Sequence, residues 1–187
     1  MIISIFGKKG SGKSTLSKEM MYRLGGKIVF ISPVESLEEF DFELWGYDEI
    51  ASYVEIMEPG QIAILRLMDI EAFDMIACIA MIEMDYTLVI DEIERYKNSE
   101  NLSELIHYAR HFGINLICNT RRYTDVPRLL TSQSDQIMIF ATIEPRDLDY
   151  FKNYTDVSDL SVIKTLKAYN YYVFPDNTVR VTNPQFT

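Results

Sequence analysis

The opening stretch of the chain constrains the fold more than any other part of it. Ile2 to Phe6 form a short apolar run that is typical of a buried parallel strand. A glycine-rich segment, GKKGSGKS, follows at once from Gly7 to Ser14. From Lys13 onward, apolar residues recur with the spacing of one helix face, at Leu16, Met20 and Leu24. The order of strand, glycine loop and helix predicts the first unit of an α/β fold.

The glycine-rich segment matches the phosphate-binding loop (P-loop) pattern G-x-x-x-x-G-K-S without deviation. Glycines let backbone N–H groups turn towards phosphate oxygens, and the start of the following helix adds its positive end. Lys13 is expected to reach the β and γ phosphates, Ser14 to bind Mg²⁺ and Thr15 to contact the α phosphate. The predicted ATP-binding residues are Gly7, Lys8, Lys9, Gly10, Ser11, Gly12, Lys13, Ser14 and Thr15. Lys8 and Lys9 either add positive potential to the phosphates or form a solvated pair at the loop tip.

An acidic pair follows another buried strand. The apolar run Tyr86 to Ile90 (YTLVI) leads directly into Asp91 and Glu92. Parallel α/β sheets bind ligands at the carboxyl ends of their strands, so we expect Asp91 to bind Mg²⁺ and Glu92 to polarise an attacking water. The alternative is that the pair only caps the next turn. A base beside that water favours ATP hydrolysis, because a kinase has to keep water away from the γ phosphate.

Strands and helices alternate along the rest of the chain. Further strands are predicted at Lys27–Ile31, Ile62–Leu67, Ile114–Cys118 and Gln136–Phe140. Further helices are predicted from Asp69 to about Met84, from a capping box of Asn101 with Glu104 to Gly113, and from Pro145 to about Phe151. The acidic stretch from Ser36 to Met57 is interpreted as irregular with one short helix.

This alternation predicts an α/β fold with a mostly parallel central sheet, helices on both faces and a C-terminal β-hairpin. The hairpin is predicted where YYVF and TVRV flank Pro175-Asp176-Asn177. We expect a single P-loop ATPase domain over residues 1–187, with the core at about 2–150 and a C-terminal helix and hairpin at about 151–187.

Composition restricts the partners and the compartment. The formal net charge of −10 argues against a whole-surface electrostatic grip on DNA or anionic lipid, so contacts with nucleic acid must be local or shared among subunits. Cys78 and Cys118 lie in apolar patterns, are predicted to be buried and indicate a reducing cytoplasm. Since no apolar run approaches about 18 residues, no transmembrane segment is expected.

Three stretches of the chain carry a resemblance: YTLVIDEIERY, LIHYARHFGINLICNTRR and LTSQSDQIMIF. Together they resemble the HerA–FtsK superfamily of P-loop ATPases, particularly its viral and phage genome-packaging branch. The resemblance covers roughly Ile2 to Tyr150. It implies a RecA-like domain that hydrolyses ATP with Mg²⁺ in a homo-oligomeric ring, a hexamer or pentamer, and translocates double-stranded DNA of a viral genome. It also implies a place in the cytoplasm of the infected host cell or at the capsid vertex, with a capsid, portal or membrane protein as a further partner.

The resemblance also implies roles for polar residues in the second half of the chain. Arg110 matches the arginine finger that acts in trans on the neighbouring subunit; the alternative is an ordinary surface arginine. The family often ends the next strand with Thr-Gln-Arg-Pro, whose glutamine senses the γ phosphate. Here the stretch reads Asn-Thr-Arg-Arg from Asn119, so that an arginine, Arg121, replaces that glutamine. Asn119 and Arg121 are therefore the candidates for the sensor. Arg121 and Arg122 are also alternative fingers, and Arg122 and Arg128 either face a DNA channel or are solvated.

Two other classes of function stay open. Nucleoside and nucleotide kinases include many P-loop chains of this length, but the cysteines of a zinc ribbon and a lid with closely spaced arginines are not evident. An ATPase that powers protein export or phage assembly would share the same core, and membrane-linked versions commonly carry a transmembrane segment. The packaging motor is favoured because cellular relatives that move DNA usually carry further domains.

Overall fold

One nine-stranded sheet organises the part of the chain that the computed structural model describes, which comprises residues 1–33, 42–44, 46–66, 69–154, 160–183 and 185. Its strands are β1 (Ile2–Phe6), β2 (Lys27–Ile31), β3 (Phe42–Leu44), β4 (Ile62–Leu65), β5 (Tyr86–Ile90), β6 (Asn115–Thr120), β7 (Gln136–Phe140), β8 (Asn170–Phe174) and β9 (Thr178–Val181). They lie in the order β3-β4-β2-β5-β6-β1-β7-β8-β9. All pairs from β3 to β7 are parallel, whereas β8 and β9 add to β7 as an antiparallel hairpin. The predicted fold class is therefore confirmed.

Helices cover both faces of the sheet. They are α1 (Lys13–Leu24), α2 (Tyr47–Glu55), α3 (Ile70–Glu83), α4 (Glu100–Tyr108), α5 (Arg128–Gln133), α6 (Pro145–Tyr154) and α7 (Ser161–Thr165). Successive side chains of β1 point to opposite faces, so Ile3 and Ile5 pack with Leu16 and Met20 of α1. Phe6 packs on the other face with residues of α3 to α7. None of these described helices is long and apolar enough to cross a bilayer.

The central position of β1 places the glycine loop among the ends of its neighbours. β1 pairs with β6 on one side and β7 on the other, with Phe6 opposite Thr120 and Ile139. The Gly7 N–H then donates to the carbonyl oxygen of Thr120 at 3.2 Å, which ties the start of the loop to the end of β6. Because parallel strands share one carboxyl edge, the loop and the residues after β5 and β6 meet there.

Several boundaries differ from the sequence predictions. The predicted strand Ile62–Leu67 ends at Leu65, and Leu67 lies outside the described residues. The stretch expected to be irregular contains the predicted short helix, α2, and also β3, whose three residues are too few for a periodic pattern. Residues 36–41 and Trp45 of that stretch lie outside the described part of the chain. Helix α5 was not predicted, and α7 lies within residues 151–187, where the sequence predicts a C-terminal helix.

The predicted capping box at Asn101 and Glu104 is wrong. The cap of α4 is Ser99, whose hydroxyl accepts from the N–H of Leu102 at 2.9 Å and donates to the Asp74 carboxylate. Asn101 instead lies inside the helix and donates to the carbonyl oxygen of Asp74 at 3.0 Å. The contact with α3 sets the start of α4, because the Ser99 hydroxyl both accepts from an N–H in the first turn of α4 and donates to the Asp74 carboxylate of α3. The helix also ends at Tyr108, before the predicted end at Gly113.

The prediction of two buried cysteines holds for one of them. Cys118 is buried in β6, and burial raises the pKa of its thiol. Cys78 is exposed, so its predicted burial is wrong. The helix α3 is apolar on nearly all sides, and the sequence pattern therefore did not show which side faces solvent.

Replacing Ser99 by Ala tests the corrected cap. The substitution removes the acceptor for Leu102 and the donor to Asp74, so we expect the free energy of unfolding to fall by about 1–2 kcal/mol. Glu104→Ala, on the exposed side of the same helix, should change it by less than about 0.5 kcal/mol. Urea unfolding followed by circular dichroism measures both. Equal losses in the two variants would contradict the assignment of Ser99 as the cap.

Candidate active site

The glycine loop between β1 and α1 is shaped by close contacts as well as by backbone freedom. Gly10 and Gly12 have φ angles of +76° and +103°, a region that side chains rarely adopt. At Gly7, a Cβ atom would lie 2.5 Å from Oγ of Ser11 and 2.9 Å from Cβ of Phe140. Glycine is therefore required at both ends of the loop. Within the loop, the Lys13 ammonium donates to the carbonyl oxygens of Gly7 at 2.7 Å and Lys8 at 3.2 Å.

A cavity of about 130 Å³ opens between this loop and the ends of β5 and β6. Its lining residues are Lys9, Gly10, Lys13, Ser14, Asp91, Glu92, Thr120 and Arg121. The structure thus brings the predicted loop residues and the predicted acidic pair to one place. The cavity is not lined by Gly7, Ser11, Gly12 or Thr15, which belong to the loop and the first turn of α1.

Asp91 and Glu92 enter the cavity from the end of β5, and both are only 8% exposed. Glu92 adopts φ 52° and ψ 50°, a left-handed conformation that is rare for a residue with a side chain and is typical of functional sites. Its carboxylate accepts from Nε of Arg95 at 2.6 Å and also from Arg121. Both oxygens of the predicted base are therefore held by arginines from two different elements.

Burial and a neighbouring carboxylate act on the pKa of Lys13 in opposite directions. Burial lowers the pKa of Lys13, and the nearby Asp91 carboxylate opposes that shift by stabilising the ammonium. The Ser14 hydroxyl and the Asp91 carboxylate line the same cavity and are oxygen donors of the kind that Mg²⁺ prefers. Mg²⁺ commonly takes one or two protein ligands and completes its shell with water and phosphate, so this pair fits the predicted ion.

The two sensor candidates at the end of β6 lie in different environments. Asn119 is fully buried, and its Oδ1 accepts from the Ser17 hydroxyl of α1 at 2.7 Å. Its amide therefore supports the helix behind the loop and does not line the cavity. Thr120 and Arg121 line the cavity instead. Thr120 was not predicted; the alternation of a strand that starts at Asn115 would have placed it on the face opposite to Asn119.

A second cavity, of about 450 Å³, lies on the other side of Arg121. Lys8, Arg122 and Lys164 contribute cations to it, and Asp147 contributes a carboxylate that is only 2% exposed. Burial raises the pKa of Asp147, although nearby Arg122 opposes the shift. Lys8 thus faces this cavity, whereas Lys9 faces the smaller one.

Arg110 lies at the opposite edge of the sheet. Its guanidinium donates to the Asp135 carboxylate at 2.7 Å and to the carbonyl oxygen of Gln133 at 3.1 Å. The same Asp135 carboxylate accepts from the N–H of Ile2 at 2.7 Å, at the start of β1. Arg110 is therefore remote from the cavity of its own chain, and its side chain is 54% exposed.

A glycine loop on the central strand, with acidic residues beyond a strand on one side of it, is the arrangement of P-loop NTPases, and this is the class that the fold and the cavity define. Within that class, residues 1–166 match the family described as the poxvirus A32 protein. The chain belongs to that family. No curated protein sequence matches it.

Solved structures show the same fold. The genome packaging NTPase B204 from Sulfolobus turreted icosahedral virus 2, in complex with sulfate, has a TM-score of 0.77 at 24% identity and covers 98% of this chain and 96% of its own. Its complex with ATP-γS has a TM-score of 0.77 at 23% identity with the same coverage. EssC (ATPases 2 and 3) from Geobacillus thermodenitrificans has a TM-score of 0.58 at 14% identity, over 97% of this chain and 39% of its own. The match to the poxvirus A32 protein family is consistent with the resemblance to the HerA–FtsK superfamily, and the solved structures show that the fold is shared.

Two substitutions of Asn119 separate structural support from ligand contact. Asn119→Ala should lower the free energy of unfolding by about 1–2 kcal/mol at any pH, because only a hydrogen bond is lost. Asn119→Asp should lower it by a similar amount near pH 4 and by about 3 kcal/mol or more at pH 8.

The pH dependence follows from the sign of the shift. Burial raises the pKa of the introduced carboxyl above its ordinary value of about 3.9. As pH rises above that value, the carboxyl ionises in the unfolded chain before it does in the folded protein. The loss of unfolding free energy therefore grows with pH. Urea unfolding between pH 4 and pH 8 measures it. A pH-independent loss in Asn119→Asp would mean that the side chain reaches solvent or a ligand, contrary to the structure.

Proposed function

We propose that this chain is the ATPase of a viral genome-packaging motor and that it couples ATP hydrolysis to the translocation of double-stranded DNA. The observation that carries the proposal is the meeting of Lys13, Ser14, Asp91 and Glu92 in one cavity of a chain of the poxvirus A32 protein family. The similarity to a genome packaging NTPase along nearly the whole chain supports the same conclusion.

The cavity divides the reaction among its residues. Lys13 binds the β and γ phosphates of ATP. Ser14 and Asp91 would hold Mg²⁺, which would neutralise charge on those phosphates. Glu92 orients the attacking water and accepts its proton. Backbone N–H groups of the loop after Gly7 bind the phosphates, and Gly10 and Gly12 supply the left-handed turns that this requires.

The ion pairs of Glu92 let Arg121 control when the Glu92 carboxylate is free to act as the base. Both carboxylate oxygens of Glu92 are occupied, one by Arg95 and one by Arg121. A γ phosphate in this cavity competes for Arg121, because a phosphate accepts bidentate hydrogen bonds from a guanidinium. Once Arg121 has turned to the phosphate, one oxygen of Glu92 is free to accept a proton. Arg121 thus senses the γ phosphate at the position where the family often carries glutamine.

The position of Arg110 supports a ring. It lies at the amino edge of the sheet, away from the cavity of its own chain, so it can reach only the site of a neighbouring subunit. There it stabilises the charge of the transferring phosphoryl group as an arginine finger in trans. Release from Asp135 is required, and this exposed pair is of the weak kind that a phosphate can replace.

The remaining partners follow from charge and geometry. A chain with a net charge of −10 grips duplex DNA through local cations that a ring repeats around its channel. Arg122 and Arg128 are the candidates for that contact. The acidic residues 35–58 and the residues after Tyr150 are candidate docking surfaces for a capsid, portal or membrane protein. The expected location is the cytoplasm of the infected cell or the capsid vertex.

The direct test is ATP hydrolysis by the purified protein with and without long linear duplex DNA. We expect phosphate release that requires Mg²⁺ and rises with duplex DNA. Nucleosides and nucleoside monophosphates are offered in parallel as acceptors. Acceptor phosphorylation would make the protein a kinase, and hydrolysis indifferent to DNA would favour an ATPase for protein export or phage assembly.

Glu92→Gln tests the general base. The substitution keeps the shape of the side chain and removes its basicity, so turnover should fall by about 100-fold or more while ATP binding persists. Steady-state phosphate release and equilibrium binding of a fluorescent ATP analogue measure the two properties. Glu104→Gln, on the exposed side of α4, should leave both unchanged. Retained turnover in Glu92→Gln would rule out the proposed base.

Mixing two inactive variants tests the finger. Arg110→Ala subunits keep Glu92 and lack the finger, whereas Glu92→Gln subunits keep the finger and lack the base. If Arg110 acts in trans, each variant alone is nearly inactive and mixed rings recover partial hydrolysis, because some sites receive both groups. Asp135→Ala is the matched control: it breaks the same ion pair and keeps Arg110, so it should retain hydrolysis. Failure of the mixture to recover activity, or equal losses in Arg110→Ala and Asp135→Ala, would move the finger to Arg121 or Arg122.

A further inference from the structure

The residue before β8 has a strained backbone that the proposed mechanism does not use. Tyr169 has φ +63°, a left-handed conformation that is rare for a bulky side chain and persists only where the surroundings enforce it. The N–H of Thr182, just after β9, donates to the Tyr169 carbonyl oxygen at 3.0 Å. The N–H of Asn170 donates to the carbonyl oxygen of Lys167 at 3.1 Å. The C-terminal hairpin therefore holds Tyr169 in this conformation.

The strained backbone directs the ring of Tyr169 onto the phosphate-binding loop. A Cβ atom on Gly12 would lie 2.9 Å from Cδ1 of Tyr169, which is closer than side chains approach one another. Tyr169 is nevertheless 47% exposed. Tyr171, two residues later and within β8, is only 2% exposed and packs in the core. Tyr169 thus contacts the loop on one side and offers an aromatic surface to solvent on the other.

Topology fixes which end of a bound nucleotide approaches this ring. The γ-phosphate end lies at Asp91 and Arg121, beyond the ends of β5 and β6. The sheet order β5-β6-β1-β7-β8 puts the hairpin on the other side of the loop. Because β8 runs antiparallel to β7, with Tyr171 opposite Phe140, the residue before β8 lies at the same edge as the loop. A nucleotide that extends from β5 across β1 therefore directs its nucleoside towards Tyr169.

We infer that Tyr169 is the platform on which the base of the bound nucleotide stacks. The inference rests on the proposed nucleotide site and adds the residue that distinguishes a nucleoside triphosphate from a bare triphosphate. An aromatic ring stacks on any base, since every base has a π-face. Tyr169 therefore contributes affinity for the nucleoside and little preference among bases. Its contact with Gly12 sets the height of the base relative to the phosphates.

Binding of two ligands separates stacking from support of the loop. Mg·ATP contains a base, and Mg·tripolyphosphate carries the phosphates alone. We expect Tyr169→Leu, which keeps an apolar contact with Gly12 and loses the aromatic face, to weaken Mg·ATP binding by about 5- to 100-fold. The same variant should bind Mg·tripolyphosphate within about twofold of the parent protein. Isothermal titration calorimetry measures both ligands.

Two further variants serve as controls. Tyr169→Phe keeps the ring and should bind both ligands as the parent protein does. Tyr108→Ala removes a tyrosine that is equally exposed, at 47%, on α4, and should also leave both affinities unchanged. The inference is overturned if Tyr169→Leu binds ATP normally, or if it loses ATP and tripolyphosphate in parallel, since Tyr169 would then only support the loop.

The outcome is independent of DNA and of hydrolysis. If the parent protein binds ATP with the help of Tyr169 but duplex DNA does not stimulate it, the packaging motor fails and the stacking stands. If DNA stimulates hydrolysis and Tyr169→Leu binds ATP normally, the stacking fails and the motor stands.

Discussion

The parallel pairing of β1 with β6 and β7 is the constraint on which the rest of the site depends. It sets the glycine loop beside the ends of its neighbours, and the hydrogen bond from the Gly7 N–H to the Thr120 carbonyl oxygen fixes the loop to β6. Asp91 and Glu92 come from β5, one strand further away, and still reach the same cavity. Residues that are far apart in the chain meet because parallel strands end at one edge.

The two edges of the sheet divide the proposed chemistry. The carboxyl edge holds the phosphate loop, the acidic pair and Arg121, and the Asn119–Ser17 hydrogen bond supports this group from below. The amino edge holds Arg110 against Asp135. A site that needs the phosphate loop from the carboxyl edge and Arg110 from the amino edge cannot be completed within one chain. This is the physical reason for the proposed ring. In the proposed complex, Arg121 and Tyr169 border the bound nucleotide at opposite ends.

Prediction from the sequence was most successful where a pattern was long or chemically restricted. The strands β1, β2, β5 and β7 have the predicted bounds, because each is a short and mostly apolar run. The loop and the acidic pair were found because phosphate binding restricts the residues that can serve. Asn101 was predicted to cap α4 in place of Ser99, because a capping pattern in the sequence does not show that the Asp74 carboxylate of α3 accepts from the Ser99 hydroxyl. Cys78 was placed in the core because α3 is apolar on almost every side.

The sequence by itself determined the fold class, the loop from Gly7 to Ser14 and the candidacy of Asp91 and Glu92, because these depend on local periodicity and on motifs with fixed spacing. Only the tertiary structure decided that Thr120 and Arg121 face the cavity while Asn119 lies beneath it, that Arg121 and Arg95 share the Glu92 carboxylate, and that Tyr169 contacts Gly12. The physical reason is that strand order and register, which no local pattern encodes, determine which distant side chains meet.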